Sequence, residues 1–241
     1  MDCKISILHP SYGRPQQAVN IVKEIINNAS DSSKLEYLIG LDDIDPLISK
    51  YKELFNYVDE INKVSKFEIN IGNSINGIQA INRLARIISS TSELLISVSD
   101  DLHFPIAWDI TLLNVLKDIN NFTEPKFLLI SEGFYQTPEK FNTDFSNDEE
   151  YGYNIVNRAF YNKLGYFIWP EYTHYGADVD IFNVAKKLNA VIDARYILIK
   201  HDYYQQDPSH YDTTHARKNI DKEWQTSFRI LAERRSRNFD L

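Results

Sequence analysis

The chain has 241 residues, 43% of them hydrophobic, and 26 Lys and Arg against 34 Asp and Glu give a formal net charge of −8. That is enough chain for one full-sized core, while the acidic balance argues against a protein that coats duplex nucleic acid by neutralising phosphates. A single cysteine, Cys3, excludes an internal disulfide and any cysteine-rich metal site, which fits a reducing compartment.

Strand and amphipathic-helix signals alternate from the start, the pattern of an α/β sheet with helices on both faces. Lys4 to Leu8 reads as a buried strand, too short before its polar loop for a signal peptide. After the loop of Pro10, Gly13 and Pro15, the residues Val19, Val22, Ile25 and Ile26 share one helical face, with Pro15 in the first turn. Leu35 to Leu41 is the second predicted strand and closes on Asp42-Asp43-Ile44-Asp45-Pro46; Leu47, Tyr51, Leu54, Phe55 and Val58 then recur at helical spacing. Phe67 to Ile71 reads as a third strand, and Ile78, Ile81, Leu84, Ala85 and Ile88 mark the next helix. Leu94 to Val98 is the fourth strand and delivers Asp100 and Asp101 to its end, before a helix opened by Trp108.

Phe127 to Ile130 is a further predicted strand, and the polar segment from Glu132 to Asn154 reads as either a lid or a disordered loop. Helices are expected over Asn157 to Leu164 and Val179 to Leu188, around the aromatic stretch Tyr166 to Tyr175, with a last strand at Tyr196 to Ile199. In the helical tail from Asn219, Trp224, Phe228 and Leu231 form one stripe expected to pack on the domain, with Arg229, Arg234, Arg235 and Arg237 solvated; a membrane-surface helix is the competing reading. No run approaches the roughly 20 apolar residues that span a bilayer, so the expected location is cytoplasmic, with peripheral membrane contact as the variant.

Two carboxylates at the exposed end of a buried strand suit a hard divalent cation, Mn²⁺ or Mg²⁺, which takes few protein oxygens and completes its shell with phosphate and water. The competing reading is that Asp100 and Asp101 only turn the chain or cap the following helix. Open α/β sheets bind ligands at the carboxyl ends of their strands, where Ser11, Tyr12, Asp42, Asp43, Asp100 and Asp101 can converge. Neither G-x-G-x-x-G nor a P-loop exists among the 8 glycines, which removes a Rossmann dehydrogenase and a P-loop kinase.

The order of these pieces resembles the inverting glycosyltransferases of the GT-A fold, family-two-like and of bacterial or phage type. The turn Ile7-Leu8-His9-Pro10-Ser11-Tyr12-Gly13-Arg14-Pro15 is similar to the family's first strand end, the acidic Leu41-Asp42-Asp43 to its second, Asn76-Gly77-Ile78-Gln79-Ala80-Ile81-Asn82-Arg83 to its donor-lining helix, and Ser99-Asp100-Asp101 to its DxD metal motif. Tyr175-Gly176-Ala177-Asp178-Val179-Asp180 resembles the acceptor-side signature, with Ala177 where Glu is usual, and His201 matches a C-terminal histidine ligand.

The resemblance implies one GT-A-like domain: a nucleotide-sugar half over 1–118, an acceptor half over 119–215 and a C-terminal helix over 216–241. It implies Pro10, Ser11, Tyr12, Arg14, Asp42, Asp43, Asn76, Gly77, Asn82 and Asp100 around a nucleotide-diphospho-sugar, with the Tyr12 ring on the base, and Asp101 with His201 on Mn²⁺ or Mg²⁺. Asp178 would be the catalytic base, with Asp180 second. The implied reaction is hexosyl transfer from a UDP-sugar to a glycan, lipid-linked, protein or nucleic-acid acceptor. Two alternatives remain at this point: a sugar nucleotidyltransferase on a related fold, and a non-catalytic nucleotide- or saccharide-binding module.

Overall fold

Strand β1 (Ile5–Ser11) is central because its residues are buried on both faces, and it pairs in parallel with β2 (Leu35–Asp42) on one side and β4 (Leu94–Ser97) on the other. The structure is a computed structural model that describes residues 4–74, 76–118, 122–133, 153–202, 207–212, 216 and 221–241. Outside β2 lies β3 (Lys66–Gly72), also parallel; beyond β4 the order continues through β7 (Ile155–Asn157), β6 (Phe127–Ser131) and β8 (Val191–Leu198). β7 runs antiparallel to both β4 and β6, while β6 and β8 are parallel, so the seven-stranded sheet is mostly parallel. A separate ribbon pairs β5 (Leu102–His103) with β9 (Lys200–His201).

The period-2 alternation of β1 feeds two cores. Ile5 and Ile7 join one with residues of α1 (Pro15–Asn28), α2 (Ile48–Phe55) and α4 (Trp108–Asp118). Leu8 joins the other with residues of α3 (Gly77–Ala85), α5 (Arg158–Leu164), α6 (Ala177–Lys187) and α7 (Asp221–Ser236). Helices on both faces and a mixed α/β class agree with the sequence reading.

Four expectations need correction. The stripe from Leu47 to Val58 is helical only to Phe55, and Val58 is buried beyond the helix end. Residues 155–157 form a strand where loop and helix were expected; the two-sided burial of Ile155 and Val156 on neighbouring strands outweighs the helical spacing of the residues that follow. β8 begins at Val191, five residues earlier than the apolar run from Tyr196 suggested. In the tail, Arg234 is not solvated but 0% exposed, with its partners given below, and Phe228, expected in the packed stripe, is 57% exposed, while Leu231 packs. The lid reading of Glu132 to Asn154 falls mostly on residues 134–152, outside the described residues.

Asn157 holds the junction of β7 and α5. Its Oδ1 accepts from the amides of Lys126 (2.8 Å) and Phe160 (3.0 Å), and its Nδ2 donates to the carbonyls of Phe122 (3.3 Å) and Glu124 (2.8 Å). Asn157→Ala leaves those groups without their partner, at about 1–3 kcal/mol for each one that stays dry. A loss of at least about 2 kcal/mol is therefore expected in urea unfolding, and a midpoint unchanged from wild type would refute it.

Candidate functional site

The two aspartates after β4 have different environments. Asp100 is turned inward and only 9% exposed. It accepts from the Ser11 hydroxyl at 2.9 and 3.0 Å, and His9 Nε2 lies 2.9 Å from its Oδ1. The other His9 nitrogen is 2.9 Å from the Tyr37 hydroxyl; Ser11 Oγ is 2.7 Å from that of Tyr51, which accepts from the Arg14 amide at 2.9 Å. Burial, reinforced by the Asp100 charge, pushes both tyrosines up, so they stay protonated. This network fixes the ends of β1 and β4 relative to each other.

The Asp101 side chain is the more accessible of the two, 19% exposed. Ser99 donates to its Oδ1, His201 Nε2 lies 3.5 Å from that oxygen, and Arg14 Nη1 lies 3.7 Å from Oδ2. Burial works against ionising Asp101, but the bonds and charges of His201, Ser99 and Arg14 outweigh it and hold the carboxyl well below its ordinary range. Burial likewise depresses His201, whose contacts with Asp101 and Glu132 prevail and raise it to about 9. The β5–β9 ribbon brings this histidine here: Leu102 pairs with His201, the His201 amide donates to Glu132 O at 3.1 Å, and the Asp202 amide donates to Asp101 O at 2.9 Å. Tyr153 closes the side, its ring edge-on to His201 at 5.2 Å and its hydroxyl 3.0 Å from Ser99 Oγ.

Among the described residues no group of three or more His, Cys, Asp or Glu is arranged as a complete metal cage. Asp101 with His201 offers one hard oxygen and one imidazole nitrogen, a donor set that fits Mn²⁺ or Mg²⁺ when phosphate oxygens and water fill the other positions.

The remaining expected residues distribute around this edge. Arg14 is buried and grips Asp212 through Nε and Nη2, both at 2.7 Å, which ties the C-terminal segment to the first loop. Tyr12 is partly exposed beside it. Asp42 is buried and accepts from Ser74, whereas Asp43 is exposed. Asp45 accepts from the Leu47 amide at 2.8 Å in the turn before α2, and from the Gly13 amide at 2.7 Å. Asn76 caps α3 by accepting from the Gln79 amide at 2.9 Å, and Gly77 sits against Pro10, whose ring a Cβ would meet at 3.8 Å.

Asn82 is a joint between the two halves of the chain: its Oδ1 accepts from the amides of Phe167 (2.9 Å) and Ile168 (3.1 Å), and its Nδ2 donates to Ile168 O at 2.7 Å. Asp178 lies in the first turn of α6, after Gly176 in the left-handed region (φ 73°), and accepts from the Val179 amide at 2.9 Å. Asp180 is 1% exposed and bound to Arg234 at 3.0 Å. Asp180, expected beside Asp178 as a second catalytic carboxylate, is thus held by Arg234 and the Tyr172 hydroxyl.

His9 and Tyr51 were missed as site-forming residues. His9 stands inside an apolar strand and Tyr51 on an apolar helical stripe, and a polar tip at such a position is the signal that could have marked them.

No protein-family model matches the chain, and no curated protein matches it. Solved structures do. TarS 1–349 from S. aureus, in complex with UDP-GlcNAc, is 11% identical with a TM-score of 0.63 over 87% of this chain and 62% of its own. The mannosyltransferase PcManGT from Pyrobaculum calidifontis, in complex with GDP-Man and Mn²⁺, is 14% identical with a TM-score of 0.58 over 83% of this chain and 57% of its own. A longer TarS structure is 12% identical with a TM-score of 0.61, and only 37% of it is covered. The chain thus spans less than two thirds of each of these proteins. Its sheet, its order of elements and these likenesses give it the fold of the GT-A-type glycosyltransferases.

Proposed function

We propose that the chain is a metal-dependent, inverting glycosyltransferase that moves a sugar from a UDP-sugar to an acceptor hydroxyl. The observation that carries this reading is the convergence of Asp101 and His201, 100 residues apart in sequence and 3.5 Å apart in space, at the carboxyl edge of the sheet. In it, residues 1–118 hold the donor, residues 119–215 the acceptor. Tyr12 stacks on the base, Asp43 is the exposed acidic group at its edge, and Asp42 and Asp100 hold the walls. Mn²⁺ or Mg²⁺ on Asp101 and His201 would offset charge on the diphosphate. Asp178 accepts the acceptor's proton as the hydroxyl oxygen attacks the anomeric carbon from the side opposite the diphosphate. The Asp180–Arg234 pair holds α6, and therefore Asp178, in place. No helix among the described residues is long and apolar enough to cross a membrane.

Calorimetric titration of UDP in Mn²⁺ and in EDTA, with wild type and Asp101→Asn, tests the donor site. Binding in Mn²⁺ that is lost in EDTA and weakened at least about tenfold by the substitution is expected, since one charge-assisted ligand contact is worth about 1.5–3 kcal/mol. UDP affinity that ignores both the chelator and the substitution would overturn the metal assignment.

A further inference from the structure

Helix α3 leaves the proposed donor edge at Gly77 and is capped after Ala85 by Arg86, which a rise of about 1.5 Å per residue puts roughly 14 Å away along the helix. Beside its second half, where Asn82 joins residues 167–168, lies a cavity of about 320 Å³. Tyr161, Tyr166 and Trp169 supply its aromatic walls, and the exposed Arg86 and Glu171 stand among its lining residues. Two of the walls brace each other. Tyr166 meets Trp169 edge-on (5.3 Å, 82°), and the buried Arg234 guanidinium covers one face of the Trp169 ring at 3.9 Å. The Trp169 indole nitrogen is buried and has no hydrogen-bond partner among the described residues.

We propose that this cavity is a second saccharide site, which holds a sugar unit of the acceptor glycan away from the reacting hydroxyl. The inference rests on the glycosyl-transfer reading and names its acceptor class. The volume is at the lower end for ligand pockets and suits one or two sugar rings, not a nucleotide-diphospho-sugar. Aromatic walls match the C–H faces of a sugar ring, while a guanidinium and a carboxylate can each engage two neighbouring hydroxyls. Asn82 is the one lining residue also assigned to the donor side, and its amide is committed to Phe167 and Ile168. Contacts to remote units of an acceptor position the reacting one.

A glycan array probed with labelled wild type, Tyr161→Ala and Arg86→Ala, in Mn²⁺ with saturating UDP, tests this. Glycan binding that persists under UDP and falls at least about tenfold in both variants is expected. UDP titration and thermal melting of each variant should match wild type, and Glu171→Gln provides a further exposed variant should Tyr161→Ala melt early. Absence of any bound glycan, displacement by UDP, or binding equal in wild type and variants would overturn the second site. Loss of UDP binding in the wild type would instead remove the donor reading, so the two failures are distinguishable.

Discussion

Asp178→Asn is expected to slow sugar transfer by about a thousandfold while leaving the affinity for UDP in Mn²⁺ unchanged. General-base assistance contributes about 10²–10⁴-fold, and a factor of 10³ corresponds to about 4 kcal/mol in the barrier. The amide of asparagine keeps the size of the side chain and can still accept from the Val179 amide, the local bond that Asp178 makes at 2.9 Å. What it cannot do is take a proton. The carboxylate also sits in the first turn of α6, where the helix N-terminus favours negative charge. Single-turnover release of UDP from a UDP-sugar, with a glycan or water as acceptor, measures the effect. Asp178→Glu should keep part of the rate, because the base survives at a displaced position. A rate within a few fold of wild type for Asp178→Asn would remove Asp178 as the base, and weakened UDP binding would make it a structural residue of the cleft.

Most of the first half of the chain was legible because β1, β2 and β4 are short buried runs that end in polar residues, and each helix has one apolar face. Hydrophobic period alone gives β1 through β4, and the sheet edge then follows from the parallel order. The short pairings, one of them at the end of the first half, were less legible. β7 has three residues and β5 and β9 have two each, lengths at which no period exists to be read. Yet the β5–β9 ribbon is what sets His201 beside Asp101. Pairing across about 100 residues is a tertiary choice, and His201 could be placed in sequence only by resemblance. The different roles of Asp100 and Asp101 were likewise separated only by resemblance, since the contacts that turn Asp100 inward come from His9 and Ser11 on β1. Composition also misled at Arg234: a run of arginines on a helix reads as solvated, and one of them is a fully buried anchor.

That anchor leads to the second large effect. Arg234→Met is expected to destabilise the fold by about 3–5 kcal/mol, the range for breaking a buried ion pair from one side. All five N–H groups of Arg234 are engaged: Nε donates to Asp180 at 3.0 Å, Nη1 to Phe239 O at 2.8 Å and Asp240 at 2.7 Å, and Nη2 to the Tyr166 hydroxyl at 3.0 Å and Asp180 at 3.3 Å. Burial alone would lower its pKa, but the bonds and charge of Asp180 dominate and raise it, so Arg234 stays charged. The methionine fills much of the space and leaves Asp180, also accepting from Tyr172 at 3.2 Å, buried without its cation. Asp180→Leu combined with Arg234→Met removes both charges and should cost less than the sum of the single changes, as coupled neighbours do. Urea unfolding of the four proteins measures this. Additive losses would mean that the pair is not coupled, and a loss below about 1 kcal/mol for Arg234→Met would mean that packing of α7 against α6 suffices without it. Because Asp178 shares α6 with Asp180, the double variant should also recover transfer rate relative to Arg234→Met, an effect that a purely local role of Arg234 in the tail would not produce.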